Sequence, residues 1–534
     1  MAQAALARHS LGVDGRSVHL RLGGVGPPLM LLHQSPKTGE EMLPLAEGWA
    51  RKFTAIIPDN PGYGLSDPLP HPWPTIDDLA AAHVALLDRL NIERVMVYGF
   101  HTGAKIALAM AALYPDRVAV AVANGVLINT AGDRQALLDR YLPPFEPQPD
   151  GSHLPQLWHR IQDQRIFFPW YDRREAARMP LDPGTPEALH QSAMDFLAAG
   201  SSYAAGYGAA LSMDTKAMLA RVTVPTFVTG GPGDILSKSL SQITASDSVT
   251  VAAAADLESL IAQAEGFLSR HAPRTQDIKV PVDAPPRRLA PVIQADARGR
   301  HLHGLWGGAG ETVLALPDLG GSVFALERVL QPLAITHHIL ALDPFGSGWS
   351  DRSGDLAAAL TGIAPRTVIA QGLGTLHARA LIDAGAIAPQ RLIVLDALFD
   401  KHGAAMDRIP DLTPDAAGGH LMRAWHAARM SRLFHPWTRP TPENAIPSDG
   451  RLGAQELHAA TVDLLNGWWA GRAALDDSRN LVDWLQSKPA PEIHIIAPAW
   501  AENRADMALP PDIDIEWTVH EARGARVARA ITSA

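Results

Sequence analysis

One short segment holds a side chain that could carry proton-transfer chemistry. Residues 95–104 read VMVYGFHTGA, an apolar run that ends at two glycines, Gly99 and Gly103, with His101 between them. Glycines at these positions allow a tight turn, and a sharp strand-to-helix turn projects its central side chain outward. An imidazole can accept or donate a proton near neutral pH, so His101 is interpreted as a general base.

A second segment of similar form lies in the C-terminal half. Residues 368–377 read VIAQGLGTLH, and the position that corresponds to His101 is interpreted as Gly374. Glycine offers no chemistry, so this half is predicted to be non-catalytic. Neither turn contains serine, and the chain contains no cysteine, which excludes thiolate catalysis, disulfides and cysteine-zinc sites.

The two segments belong to a chain that repeats itself over a long period. PDNPGYGLSD at 58–67 corresponds to LDPFGSGWSD at 342–351. Seven residues recur in register further on: His153, Trp158, His159, Arg165, Phe167, Pro169 and Trp170 correspond to His420, Trp425, His426, Arg432, Phe434, Pro436 and Trp437. Such repetition indicates two copies of one structural unit.

The elements between these motifs predict an α/β fold in each half. Strand-like runs alternate with helical stretches, a pattern that favours parallel βαβ crossovers and a doubly wound, mostly parallel sheet. The first module is predicted over 1–271 with a helical cap at about 130–215, and the second over 292–534 with a cap at about 400–485. A proline-rich, charged linker is predicted at 272–291.

Composition limits the partners. The formal net charge of −10 comes without a basic block, so a nucleic-acid partner is not expected. No signal-peptide pattern or apolar run of membrane-spanning length is present, so we expect no membrane partner and a cytoplasmic location. A small-molecule substrate and a homodimer formed through the caps are the expected partners. No cofactor and no metal are expected.

Together these motifs resemble the α/β-hydrolase superfamily over nearly the whole chain. The family signature PD-x-PG-x-G-x-SD is almost intact at 58–67, and the loop that should form the oxyanion hole begins at His33-Gln34 in the first module and at Pro317-Asp318 in the second. The resemblance implies a tandem α/β-hydrolase fold. The G-x-H-T-G turn is interpreted as a serine-less variant found among bacterial members.

The resemblance also implies a catalytic acid after the seventh strand. Asp234 in GGPGD takes that position, and its counterpart in the second module is Glu502. Because imidazole is longer than a serine side chain, His101 is predicted to reach Asp234 directly and to form a His-Asp dyad. The second module offers His520, and Asp396 at an alternative acid position.

Further site residues are predicted from the turn after the strand at 95–100 and from the repeated cap segment. Oxyanion stabilisation is expected from the backbone N–H of Thr102 and from a group near Gln34. The candidate substrate-binding residues are His33, Trp158, His159, Arg165 and Trp170. Three alternatives stay open: a structural role for His33, a cap core built from the aromatic residues, and a salt bridge from Arg165 to Asp163 or Asp172 in place of a substrate carboxylate.

Two functions remain open from the sequence. The first is a hydrolase, or alternatively a C–C or C–O lyase, that acts on a small organic molecule by cofactor-independent general-base chemistry in the first module. The second is a pseudoenzyme that binds a ligand or partner with both sites inactive. The relation between His101 and Asp234 separates them, since a direct hydrogen bond favours the enzyme.

Overall fold

A computed structural model describes residues 6–396, 410–447, 452–474, 481–487, 491–498, 502, 515–518 and 523–532. The chain divides into two compact units. The first unit comprises Met1–Glu146 and Gln156–Asp283, and the second comprises Pro147–Pro155 and Ala284–Ala534. The candidate His520 lies outside the described residues.

The first unit is built on one eight-stranded sheet. Its strands are β1 Ala7–Val13, β2 Arg16–Gly24, β3 Pro28–Leu32, β4 Thr54–Pro58, β5 Val95–Phe100, β6 Val118–Asn124, β7 Thr226–Gly230 and β8 Val249–Ala253. They are ordered β1-β2-β4-β3-β5-β6-β7-β8. Only the β1–β2 and β2–β4 pairs are antiparallel. The central strands are buried on both faces, as their continuous apolar sequences require.

Helices cover both faces of this sheet and also form an insertion. The helices are α1 Leu43–Trp49, α2 Ile76–Arg89, α3 Thr102–Leu113, α4 Ala131–Tyr141, α5 His153–Ile166, α6 Pro186–Ala199, α7 Tyr203–Ser212, α8 Thr215–Leu219 and α9 Leu257–Arg270. Helices α4 to α8 lie between β6 and β7 and constitute the cap of the first unit, except that the first three residues of α5 belong to the second unit. Two 3-10 helices, Gly39–Met42 and Ile235–Gln242, carry or adjoin candidate site residues.

The second unit repeats this architecture. Its strands are β9 Ala290–Ala295, β10 His301–Gly307, β11 Thr312–Leu316, β12 His338–Leu342, β13 Thr367–Gln371, β14 Arg391–Leu395, β15 Glu492–Pro498 and β16 Ile515–Thr518. Their order, β9-β10-β12-β11-β13-β14-β15-β16, matches that of the first unit. The duplicated, mostly parallel fold predicted from the sequence is therefore confirmed.

The helices of the second unit follow the same plan. They are α10 Glu327–Leu330, α11 Leu356–Ala359, α12 Thr375–Asp383, α13 Gly419–Met430, α14 Ala454–Ala474, α15 Leu481–Ser487 and α16 Arg523–Thr532. Helices α13 to α15 lie between β14 and β15, where the first unit has its cap. Across the described residues of both units, no helix has the length and apolar content that crossing a bilayer requires.

A buried aspartate after β4 fixes the loops around the sheet of the first unit. The Asp59 carboxylate accepts hydrogen bonds from the backbone N–H of Gly39 at 2.7 Å and of Leu65 at 3.0 Å. It also lies 2.8 Å from Nδ1 of His19. Burial alone would raise the pKa of Asp59, but His19 and the Arg21 guanidinium together hold it well below its usual value. The carboxylate is therefore ionised and holds the start of the 3-10 helix Gly39–Met42.

The second unit contains the same buried carboxylate. Asp343 follows β12, accepts the backbone N–H of Val323 at 2.7 Å and lies 2.8 Å from Nδ1 of His303. The matching distances show that the two units share one internal frame, which the PD-x-PG-x-G-x-SD motif encodes around its first aspartate.

The turn after β5 is tight because two glycines permit close backbone approach. A Cβ on Gly99 would lie 2.0 Å from the carbonyl oxygen of Gly103, and a Cβ on Gly103 would lie 2.1 Å from that of Leu32. Between them His101 has a φ of 48°, in the region that non-glycine residues rarely adopt. The strained apex places His101 at the N-terminus of α3.

The corresponding apex in the second unit is Gly372, so the sequence interpretation of Gly374 as the apex was wrong. Gly372 has a φ of 49°, which matches the φ of His101. A Cβ on Gly374 would lie 2.1 Å from the carbonyl oxygen of Pro317, which is the close approach that Gly103 makes in the first unit.

Strand register gives the same alignment. Leu316 of β11 lies opposite Ala370 of β13, whereas Leu32 of β3 lies opposite Gly99 of β5. Ala370 therefore occupies the position of Gly99. The sequence comparison matched Gly99 to the next available glycine and shifted the turn by two residues.

Buried histidines support the loop after β3. The backbone N–H of Asn60 donates to Nε2 of His33 at 2.8 Å, and the Asn60 side-chain carbonyl accepts from Nε2 of His83 at 2.9 Å. Burial, with smaller contributions from His33 and Arg16, lowers the pKa of His83 from 6.5 to about 3. His83 is therefore neutral in the folded protein.

This pKa shift predicts a loss of stability in mild acid. Below pH 6.5 the unfolded chain protonates His83 while the folded chain does not, so stability falls as the pH decreases from 6.5 toward 3. His83→Gln keeps an N–H donor for Asn60 and should flatten this dependence by up to about 1.4 kcal/mol per pH unit. The measurement is the urea unfolding midpoint at about pH 7 and about pH 4.5.

His71→Gln is the matched control, because the side chain of His71 is half exposed. Its unfolding midpoints should follow those of the unsubstituted protein. Equal pH dependence in the His83→Gln variant and in the unsubstituted protein would contradict the prediction.

Candidate active site

The candidate site of the first unit centres on His101. The turn between β5 and α3 is held by the His101 backbone N–H, which donates to the carbonyl oxygen of Asn124 at 2.9 Å. The imidazole stacks on Phe100 with 3.9 Å between ring centroids. About a quarter of the side chain (27%) is exposed, so the ring is accessible from outside the protein.

Asp234 lies across the site from the apex. It precedes the 3-10 helix Ile235–Gln242, and its Oδ1 accepts the backbone N–H of Leu236 at 2.9 Å. Its Oδ2 lies 3.1 Å from Nε2 of His101. Burial alone would raise the pKa of Asp234, but the hydrogen bond and charge of His101 and the Leu236 N–H lower it below its usual value. The structure therefore brings the predicted pair together.

The other side of the imidazole faces Gln34. Nδ1 of His101 lies 3.0 Å from Oε1 of Gln34. The orientation of this amide is set by Glu41, whose carboxylate accepts both the side-chain NH₂ and, at 3.0 Å, the backbone N–H of Gln34. Because the NH₂ group must point to the carboxylate, the amide oxygen must point to His101. Glu41 was not predicted as a site residue. It lies in the segment GEEM at 39–42, and an acidic residue in such a segment has the sequence pattern of an ordinary surface residue.

These contacts determine where the protons of His101 reside. A neutral imidazole carries a hydrogen on only one ring nitrogen. Here Nδ1 faces the carbonyl oxygen of Gln34 and Nε2 faces the carboxylate of Asp234, and both are acceptors. Both contacts are hydrogen bonds only when both nitrogens are protonated. The geometry therefore favours an imidazolium paired with Asp234, whereas the sequence analysis expected a neutral base.

The oxyanion donors differ from those expected. The backbone and side-chain N–H groups of Gln34 donate to Glu41, so Gln34 presents an acceptor, not a donor, to the site. The N–H groups of Gln34 itself are thus engaged by Glu41, and an oxyanion donor near Gln34 stays a prediction. Thr102 begins α3 directly after the apex with a buried side chain, which leaves its backbone N–H as the relevant group.

Three predicted substrate-binding residues lie elsewhere. His33 is fully buried, and its ring nitrogens contact the carbonyl oxygen of Gln34 at 2.7 Å and the N–H of Asn60, so its role is structural. Trp158 is fully buried in the cap, as a core residue would be. His159 is exposed, and its Nδ1 lies 3.2 Å from the side chain of Gln162 in the same helix.

Arg165 and Trp170 also differ from expectation. Arg165 is half exposed and interacts with Asp182, whereas the expected partners Asp163 and Asp172 pair with Arg173 and Arg174. The indole N–H of Trp170 donates to the carbonyl oxygen of Tyr141 at 3.0 Å within the cap. Neither residue forms a hydrogen bond or ion pair with His101 or Asp234.

In the second unit an internal carboxylate occupies the turn. Oδ1 of Asp318 accepts the backbone N–H of Leu373, the residue after the apex, at 2.8 Å. A Cβ on Gly372 would lie 2.7 Å from the same carboxylate. This N–H corresponds to that of Thr102, the oxyanion donor predicted for the first unit, and in the second unit it is bound by a carboxylate of the chain itself.

Asp396, the alternative acid of the second unit, is also held internally. Its carboxylate accepts from Nε2 of Gln371 at 3.0 Å and lies 2.8 Å from a guanidinium nitrogen of Arg523. Burial raises the pKa of Asp396, an effect that Arg523 and Gln371 partly offset. Its position beside an apex without a side chain gives it no described catalytic partner.

The first unit resembles known sequences. A family profile described as the alpha/beta hydrolase fold matches residues 27–237. An uncharacterized hydrolase of Saccharomyces cerevisiae is 28% identical over 156 residues, which is 29% of this chain and 49% of that protein. The (E)-2-((N-methylformamido)methylene)succinate hydrolase of Acinetobacter baylyi is 29% identical over 128 residues, 24% of this chain and 48% of that protein.

A third relative is the cis-3-alkyl-4-alkyloxetan-2-one decarboxylase of Shewanella oneidensis, 32% identical over 118 residues, 21% of this chain and 36% of that protein. The chain thus spans about half or less of the length of these curated relatives. Among solved structures, the enol-lactonase from Burkholderia xenovorans has a TM-score of 0.38 at 18% identity, over 49% of this chain and 99% of that one.

The E-2-(acetamidomethylene)succinate hydrolase likewise has a TM-score of 0.38 at 20% identity, over 50% of this chain and 100% of that one. The profile match covers strands β3 to β7, the apex and Asp234 of the first unit, and the second unit repeats the same strand order. Residues 27–237 therefore match the alpha/beta hydrolase family, and both units have the α/β-hydrolase fold.

Proposed function

We propose that the first unit is an enzyme that acts on a small organic molecule through His101 and Asp234, as a hydrolase or a C–C or C–O lyase, without a cofactor. The observation that carries this proposal is the placement of the His101 imidazole between Asp234 and Gln34, at the strained apex of the family's nucleophile turn. A side chain held on both sides at an exposed apex is prepared for proton transfer.

The contacts suggest an order of proton transfers. Asp234 retains the hydrogen on Nε2 throughout, and Nδ1 exchanges its hydrogen with the substrate after the Gln34 carbonyl is displaced. In hydrolysis the water oxygen bonds to the substrate carbon as the bond to the leaving group breaks, and the imidazolium donates the Nδ1 proton to the departing group. The neutral imidazole that remains, with Nε2–H still bound to Asp234, takes up the proton that the added water loses. In a C–O lyase it takes this proton from the adjacent substrate carbon instead, and a carbon–carbon double bond forms as the C–O bond breaks.

The alternative is a ligand-binding protein without turnover. Both ring nitrogens of His101 contact protein groups, and the N–H groups of Gln34 are bound to Glu41. An enzyme must break one of these contacts in each cycle, whereas a binding protein need not. The experiments below therefore measure ligand binding and turnover separately.

The second unit is proposed to be non-catalytic. Its apex is a glycine, and the carboxylate of Asp318 is bound to the adjacent backbone N–H. A negatively charged transition state would be repelled from that position. We therefore assign the second unit a scaffold role. A substitution at its apex, Gly372, should lower the stability of the protein and leave the turnover of the first unit unchanged.

The central prediction concerns the dyad. In a screen of carboxylic esters, lactones, amides and epoxides, His101→Ala should reduce kcat/KM for any converted compound at least about 100-fold, because the proton-transfer group is lost. Asp234→Asn should have a similar effect, because an amide cannot balance the imidazolium charge. Arg165→Gln is the matched control and should retain activity, since Arg165 interacts with Asp182 on the surface.

Circular dichroism must show that these variants fold. Turnover that persists in His101→Ala would contradict the proposed site. Binding of a compound without its conversion by the unsubstituted protein would support the ligand-binding alternative.

A second prediction tests the orientation of the Gln34 amide. Glu41→Gln removes the carboxylate that fixes the amide, so the ring nitrogens of His101 should change from the doubly protonated pattern toward a neutral tautomer. Nitrogen-15 NMR of histidine-labelled protein measures this directly and requires no substrate. Glu40→Gln is the control, because Glu40 pairs with Arg21 instead. An unchanged His101 spectrum in Glu41→Gln would contradict the proton assignment.

A third prediction follows from the absence of serine at both turns. Treatment with a fluorophosphonate serine-hydrolase probe should leave the intact mass unchanged, because neither apex has a hydroxyl nucleophile. Stoichiometric labelling at a serine, located by peptide mapping, would show that the reactive centre lies elsewhere in the chain.

A further inference from the structure

The cap of the first unit contains a buried arginine enclosed by aromatic rings. Arg160 lies in α5 with 8% of its surface exposed. Its guanidinium carbon lies 5.0 Å from the ring centre of Trp170, 4.7 Å from that of Phe196 and 4.9 Å from that of Tyr203. Cation–π contacts at these distances are favourable and hold the guanidinium in place.

The hydrogen bonds of Arg160 are all to neutral groups. Nη1 donates to the hydroxyl of Tyr203 at 3.2 Å, and Nη2 donates to the carbonyl oxygen of Tyr141 at 3.2 Å. Nε is buried and has no hydrogen-bond partner in the described part of the chain. No carboxylate of the described residues forms an ion pair with Arg160. Arg173 and Arg174, by contrast, are paired with Asp163 and Asp172.

A buried guanidinium without a counter-charge is costly. Buried charges in proteins are normally paired, and aromatic faces replace only part of the lost hydration. The groups around Arg160 add further donors: the amide NH₂ of Gln164 lies 3.5 Å from the hydroxyl of Tyr141 and 3.4 Å from that of Tyr207. This cluster of Arg160, Gln164, Tyr141 and Tyr207, here called the cap donor cluster, lacks a described anionic acceptor. The hydroxyl of Tyr203 is not counted as a donor, because it donates to the carbonyl oxygen of Pro143.

The cap donor cluster is linked to the loop that carries Gln34. The Tyr63 hydroxyl donates to the carbonyl oxygen of Tyr203 at 2.8 Å and accepts the backbone N–H of Gly206 at 3.1 Å. Ser35 packs against the same glycine, since a Cβ on Gly206 would lie 2.8 Å from its Oγ. Ser35 follows Gln34 directly, so a short path of contacts joins Arg160 to the group that bonds His101.

We infer that the guanidinium of Arg160 binds a carboxylate of the substrate. The substrates are then small organic acids whose reactive group is separated from the carboxylate by part of the molecule. This inference rests on the proposed function of the His101 site. A carboxylate fits the donors because it accepts two parallel hydrogen bonds from a guanidinium and further bonds from hydroxyls. It binds beneath the cap, with the reactive end toward His101.

The structure distinguishes Arg160 from the arginine that the sequence favoured. Arg165 is half exposed and has Asp182 as its partner, so its charge is compensated and hydrated. Arg160 lies five residues before Arg165 in α5, its side chain is buried, and no described carboxylate balances its charge. Removing the charge of Arg160 therefore leaves the neighbouring donors without the cation around which they are arranged, whereas removing that of Arg165 affects only the surface.

The test measures binding alone, in the His101→Ala protein. Phenylacetate and 4-phenylbutyrate are compared with their primary amides by isothermal titration calorimetry. The acids should bind at least about 10-fold more tightly than the amides, because only the carboxylate pairs with the guanidinium. Adding Arg160→Gln should abolish this preference, and adding Arg165→Gln should leave it unchanged. Arg160→Lys should retain part of it, since the charge remains but the planar fork is lost.

A second variant covers the case in which Arg160→Gln does not fold. Tyr207→Phe removes one hydroxyl of the cap donor cluster, leaves the ring in place, and should weaken the binding of the acids but not that of the amides. Equal binding of acids and amides, an acid preference that survives Arg160→Gln, or no binding of either acid at millimolar concentration would overturn the inference. An intact acid preference in a protein that never turns over any compound would refute only the proposed function.

Discussion

The buried carboxylate after β4 is the constraint on which the first site depends. Asp59 accepts the N–H of Gly39 and thereby fixes the start of the 3-10 helix that contains Glu41. Glu41 sets the direction of the Gln34 amide, which in turn sets the proton on Nδ1 of His101. The buried, ionised carboxylate of Asp59 thus influences, through these hydrogen bonds, whether Nδ1 of His101 carries a proton. Because each step is a directional hydrogen bond, loss of one step affects all the later ones.

The two units show how one frame can support different sites. Asp343 and His303 reproduce the contact of Asp59 and His19 at the same distance of 2.8 Å. Beyond that frame the units diverge, because Gly372 replaces the imidazole and Asp318 binds the backbone N–H that follows the apex. The frame is common to both units, whereas the apex residue differs between them. This difference explains how the second unit can retain the strand order of the first without its chemical groups.

The cap of the first unit combines two kinds of burial. Most of its aromatic residues pack as an apolar core, as Trp158 does, and need no ligand. Arg160 differs because its charge is surrounded by rings, hydroxyls and a carbonyl oxygen, with no described acid beside it. A charge kept inside a small helical insertion is difficult to explain by stability alone. In the proposed function, the cap supplies recognition and the sheet edge supplies proton transfer.

The sequence alone determined the duplicated fold. Apolar periodicity, glycine-rich turns and the internal repeat are patterns of residue types along the chain, so they can be recognised without the tertiary structure. It also identified His101 and Asp234, because the turn motif and GGPGD are local motifs. It could not decide the apex of the second unit, because register is set by pairing between β11 and β13 and not by the spacing of glycines. Nor could it distinguish Arg160 from Arg165, which differ only in the face of α5 that they occupy. The role of Glu41 depends on the direction of one amide, and only tertiary contacts determine that direction.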